Sequence, residues 1–236
     1  MRRERDNNQT RRLMSSIVVG VFVSSSCSLK LNVVALAVVL LLGGCSVLPP
    51  KQDRTRFIIL APVTSGAQST ANQKLTSVAI GLGPIQLPEY LDSPELLIRT
   101  SPNGFDLSET DRWGEPLADN FRHVLASDLT NLLGTANIMQ YPWFPGTRLD
   151  FIVHVEVRRF EADTSHNAEL IARWDLRTSQ TDQVLASRQA RLSRQSTSLA
   201  GDEVARALSE DLAELAEQIA STLVQAEQQR VARSIN

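Results

Sequence analysis

Cysteine is scarce in this chain: Cys27 and Cys45 are the only two in 236 residues, too few for a disulfide-dense scaffold. No sign of charge dominates, with 24 Lys and Arg against 26 Asp and Glu, which argues against a nucleic-acid binder resting on a basic face. There is no series of long apolar runs, so a multi-pass membrane protein is excluded. Histidine is rare, and His123, His154 and His166 have no second His, Cys or carboxylate at the spacing of a zinc motif. Gly81 and Gly83 lead into Pro84, which has no N–H to offer a phosphate, and Gln86 stands where a third glycine would be needed. No nucleophile motif stands out. These absences predict no enzyme, no cofactor and no metal.

What is present is unevenly distributed. Before residue 45, six basic residues face two acidic ones, a net charge of +4; from Cys45 onward, 18 face 24, a net charge of −6. The front segment has an Arg-rich start, an apolar stretch over 17–23 broken by three serines, and an apolar run over 31–42 interrupted only by Asn32. That is the pattern of an export signal. It ends in Leu42-Gly43-Gly44-Cys45, which resembles the lipobox of bacterial lipoproteins. The resemblance implies a diacylglyceryl group in thioether linkage on Cys45, cleavage just before it, and a further acyl chain on the freed amine.

On this reading residues 1–44 are a lipoprotein signal peptide, 45–55 the lipidated cysteine and its tether, and 56–236 the domain. The ten tether residues reach about 33 Å when fully extended. Two starts stay open, Met1 and Met14. An uncleaved anchor is the alternative, since residues 31–48 carry no charge over 18 positions, but the paired glycines and Pro49-Pro50 suit a cleavage site and tether better. Ser46, not Asp, comes after the cysteine, and resemblance to proteobacterial lipoproteins then implies the outer membrane.

The rest predicts an α+β domain. Strand patterns occupy 56–62, 77–87 and 95–100, the last two flanking a Pro-bounded turn from Pro88 to Pro94, and 63–74 is a polar loop. Leu117, Phe121, Val124, Leu125, Leu129, Leu132 and Leu133 recur at helical steps, with Pro116 expected at the first helical position and Gly134 as a C-cap, so a helix spans 116–133. Three more strands are expected over 151–157, 167–177 and 182–193, with strict alternation in the first two. A final helix runs over 202–230 on Val204, Leu208, Leu212, Leu215, Ile219 and Leu223. The expected architecture is a largely antiparallel or mixed sheet covered by two helices.

Three blocks are similar to the ABC-type transport auxiliary lipoproteins of the PqiC or YmbA type. They are the stretch from Gly83 to Arg99, the block Asp111-Arg112-Trp113-Gly114-Glu115-Pro116-Leu117, and Phe160-Glu161-Ala162-Asp163 with the later stretch from Ala168 to Trp174. The resemblance implies a non-enzymatic, outer-membrane lipoprotein at the periplasmic end of a lipid transporter, partnered by an MCE-domain protein and self-associating in a ring. A free-standing periplasmic ligand-binding lipoprotein is the alternative, and a hydrolase with an unrecognised site a distant third. Aromatic residues beside Pro or Gly are the candidate contacts. Pro88, Tyr90 and Leu91 in the turn, Trp113 beside Gly114, and Trp143 in the loop from Tyr141 to Pro145 are the expected interface; Trp174 is expected in the core.

Overall fold

Phe151, Val153, Val155 and Val157 alternate with His154 and Glu156, and that alternation becomes the central strand of the sheet. The computed structural model describes residues 52–63 and 75–235, those from Arg54 onward within a compact unit spanning Arg54–Asn236. Cys45, the apolar run before it and most of the 63–74 loop lie outside the described residues. Eight strands form one sheet: β1 (Arg56–Ile58), β2 (Ile80–Gln86), β3 (Glu95–Ser101), β4 (Gly104–Trp113), β5 (Ile138–Gln140), β6 (Phe151–Asp163), β7 (Asn167–Thr178) and β8 (Val184–Gln195). Among the described residues two helices accompany them, α1 (Leu117–Leu133) and α2 (Gly201–Ile235). Among the described residues no helix is long and apolar enough to cross a membrane.

The strands β6, β7 and β8 form the expected antiparallel meander. The other edge of β6 is shared. Its first half pairs in parallel with β2 and its last residues in parallel with β3, so the Pro88–Pro94 turn carries the chain from one stretch of that edge to the next. Outside β3 the sheet continues to β4, antiparallel, and then to β1, parallel; outside β2 it ends in β5, parallel. The sheet is therefore mixed, with β1, β5 and β8 as its edges.

One face is apolar. Phe151, Val153, Val155 and Val157 of β6 and Ala168, Leu170, Ala172, Trp174 and Leu176 of β7 are all buried, in one cluster with the stripes of both helices. The α2 stripe is fully buried at Val204, Leu208, Leu212, Leu215, Ile219 and Leu223. Gly134 ends α1 with φ of 62°, the left-handed conformation that a side chain resists. Pro116 stands one place earlier than expected, at the N-cap, with extended ψ of 128°.

The β4 strand had no sequence expectation. Its alternation of Phe105 and Leu107 with Asp106 and Ser108 is present, but acidic residues at 106, 109 and 111 are poor strand formers. Pairing with β3 and β1 supplies what propensity does not.

Candidate interaction surface

The turn between β2 and β3 is held from both sides. A single 3-10 turn at Glu89–Leu91 points Leu91 into the core, where it is 3% exposed, and leaves Tyr90 half-buried at the surface. The Tyr90 hydroxyl donates to Glu161 Oε2 at 3.0 Å, and its ring stacks on Phe105 of β4, centroids 5.6 Å apart. Glu161 is the hub. Only 2% of its side chain is exposed, yet Oε1 accepts from Arg99 Nε at 2.6 Å and Oε2 accepts from the Phe160 N–H at 2.9 Å. Arg159 lies 3.4 Å from the same carboxylate and also pairs with Glu169 of β7. The Arg99 guanidinium sits 5.8 Å from the Tyr90 ring centre. Burial first, and then the Glu161 charge, push the Tyr90 phenol up to about 12. Tyr90 is therefore a neutral donor on a rigid mount.

The second aromatic site sits on glycine. A Cβ at Gly81 would lie 3.1 Å from the Trp143 ring and 2.7 Å from Leu149, and a Cβ at Gly83 would lie 2.5 Å from the Tyr141 Cβ. Gly83 has φ of 135°, a region closed to most side chains. The Gly-x-Gly pair that fails as a nucleotide motif instead makes room for the loop from Tyr141 to Pro145. Tyr141 and Trp143 meet edge to face at 5.3 Å, and Phe144 projects, 87% exposed.

Of the five residues expected at an interface, Pro88, Tyr90 and Trp143 present surface. Leu91 and Trp113 do not, which corrects the sequence reading: both are core residues. Trp113 ends the unforeseen β4, its N–H donating to Pro94 O at 2.7 Å, and with Asp111 it is one of the two buried residues of that strand. Sequence reasoning missed the Arg99–Glu161–Arg159 group, while Phe144 belongs to the loop from Tyr141 to Pro145 that it singled out. Charged residues inside a strand carry no period that marks them as partners, and only β3 lying beside β6 brings Arg99 to Glu161.

The three histidines stay apart: His123 is on the exposed side of α1 facing Glu115, His154 on the polar side of β6, and His166 in the β6–β7 turn. Among the described residues no group of three His, Cys, Asp or Glu could hold a metal ion.

A second buried carboxylate lies under β8. Asp211 of α2 is fully buried, 3.3 Å from Arg194 Nε, with Glu210 and Glu214 on the same arginine. Burial, opposed by Arg194 and reinforced by Glu214, Glu210 and Glu169, pushes Asp211 up to about 7. A carboxyl raised in the folded state favours folding below its unfolded value near 3.8, and that contribution is lost as pH rises toward 7. The Asp211→Asn variant should therefore be more stable than the parent at pH 8, by about 1–2 kcal/mol in urea melts, since Arg194 keeps Glu214. The advantage should vanish near pH 4; an advantage independent of pH would refute this assignment.

The fold has known relatives. It is similar to the crystal structure of an uncharacterized protein, 16% identical with a TM-score of 0.58, covering 72% of this chain and 98% of that one. It is equally similar to protein XCC0632 from Xanthomonas campestris, of the DUF330 family, 20% identical with a TM-score of 0.58, covering 74% and 99%. At these identities the likeness is one of fold. No curated protein matches the chain. A family model described as the ABC-type transport auxiliary lipoprotein component matches residues 60–220, from just after β1 to within α2. With well over half its length matched, from just after β1 through α1 and into α2, the chain belongs to the ABC-type transport auxiliary lipoprotein family.

Proposed function

We propose that this protein is a non-enzymatic outer-membrane lipoprotein, held by acyl chains on Cys45, that docks the periplasmic end of an ABC-type lipid transporter through an MCE-domain partner and self-associates. The family match over 60–220, standing directly behind Leu42-Gly43-Gly44-Cys45, carries this reading. Ser46 after the cysteine supports the outer membrane. The surface supports an adaptor: Tyr90 is fixed by Glu161 and Trp143 by Gly81, so their rings lose little freedom when a partner covers them.

The test uses Tyr90→Ala and Phe144→Ala, because Phe144 is 87% exposed and its removal leaves the core untouched. Light scattering and capture of an MCE-domain protein from the same organism are the readouts. One or both variants should lower the oligomer mass or weaken capture by roughly tenfold, the range of an interface hot spot. Unchanged mass and unchanged capture in both would remove these loops from the interface.

A further inference from the structure

The three sheet edges are finished differently. The β8 edge carries Arg188, Arg191 and Arg194 and no acidic residue, the kind of charge that keeps another strand from pairing. The β5 edge is three residues long. The β1 edge is also short but has the opposite character: residues 57–60 read Phe-Ile-Ile-Leu. Ile58 and Leu60 turn into the core, 8% and 1% exposed, while Phe57 and Ile59 turn out, 73% and 58% exposed. Outward positions in the middle of the sheet are charged, as at Glu156 on β6 and Arg173 on β7, whereas Phe105 and Leu107 of the neighbouring β4 are 44% and 50% exposed. An edge strand apolar on both sides needs a second apolar phase.

The outward side chains of β1 have no interior to enter. The Leu60 N–H donates to Asn120 of α1 and the Ala61 N–H to Ser209 of α2, so the chain is pinned against both helices just after the strand. A groove of about 440 Å³ opens there, its strand wall made by Phe57, Ile59, Pro62 and Val63 and its helix wall carrying Asp202, Arg206 and Glu210. Arg206 is already paired with Glu203 and Glu210.

The place of β1 in the chain names the occupant. Eleven residues separate Cys45 from Phe57, about 40 Å of fully extended chain at most, so an acylated cysteine keeps this strand close to the bilayer surface. Arg54 and Arg56 precede the apolar pair and are exposed; Arg56 holds Asp111 at 2.8 Å while more than half of its side chain stays open to solvent. Cationic side chains beside protruding aromatic and aliphatic ones suit the headgroup layer of an anionic bilayer.

We propose that the outward side chains Phe57 of β1 and Ile59 just after it, flanked along the chain by the exposed Arg54 and Arg56, rest on the lipid surface and make a second membrane contact beside the anchor. It fixes the orientation of the domain, which a ten-residue tether alone leaves free. The inference rests on the anchor reading for its geometry, but the contact is measured without the anchor. The chain from Ser46 onward lacks Cys45 and any acyl group, and the compact unit Arg54–Asn236 contains the whole described core.

That protein is sedimented with vesicles of phosphatidylethanolamine and phosphatidylglycerol. The parent should co-sediment, less so at high salt, and F57S/I59S should bind tenfold or more weakly with unchanged circular dichroism and melting. A parent that stays in the supernatant, or a double variant that binds as well as the parent, overturns the proposal. So does a double variant whose oligomer mass falls while vesicle binding persists, because β1 would then be an interface between copies. Failure of the anchor reading shows separately, as absence of acyl label on Cys45 in cells.

Discussion

Replacing Cys45 with alanine should abolish incorporation of a palmitate label and shift the protein out of the membrane fraction, lowering the bound share by roughly tenfold or more. The size of the effect comes from chain arithmetic: each buried methylene contributes about 0.8 kcal/mol, one acyl chain anchors only marginally, and two or three anchor stably. Nothing else in the described domain can substitute at that strength. Its helices are too polar to span a bilayer, and the outward pair on β1 offers two side chains against the dozens of methylenes on a lipidated cysteine. The measurement is fractionation of cells with label detection on the same gel. Attachment at the parent level would return the uncleaved anchor over residues 31–48 to first place.

Replacing Glu161 with alanine should cost about 2–4 kcal/mol, because it takes the carboxylate from a mostly buried cation and from two hydrogen-bond donors. Arg99, with 17% of its side chain exposed, loses its partner at 2.6 Å, Arg159 loses one of two, and the Phe160 N–H and Tyr90 hydroxyl lose an acceptor. Urea denaturation measures the loss. Glu161→Gln keeps an acceptor and most of the shape, so it should recover part of that stability. It also has a spectroscopic signature. With only Tyr90 and Tyr141 in the chain, alkaline titration resolves the Tyr90 phenol, and removing the Glu161 charge should lower it from about 12, burial still holding it above its ordinary value near 10. A tyrosine titration identical to the parent would mean that Glu161 does not face Tyr90.

The elements with strong periods were legible in the sequence. The stripe from Leu117 to Leu133 and the stripe from Val204 to Leu223 announced two helices, and strict alternation announced β6 and β7, because burial on one face imposes a period that residue types must obey. Trp174 sits on that alternation and was readable as core. Trp113 was not. Its strand, β4, is half polar and held by neighbours, so the ring looked like a free aromatic beside Gly114 when it is packed inside. Leu91 misled in the same way: a Pro-bounded turn reads as surface, and only the 3-10 geometry shows which of Tyr90 and Leu91 points in.

By itself the sequence determined the α+β class and the family resemblance, and its Leu-Gly-Gly-Cys pattern carries the expectation of an export signal; all of these rest on local order along the chain. Tertiary structure decided the mixed pairing of the sheet, the Glu161 hub, the purpose of Gly81 and Gly83, and the outward face of β1. Each of these depends on residues far apart in sequence: Arg99 meets Glu161 across 62 positions, and Phe57 is outward only because β4 and both helices take the other sides of its strand. Pairwise contact at long separation leaves no periodic trace, since one charged residue or one glycine is compatible with many partners until the fold selects one.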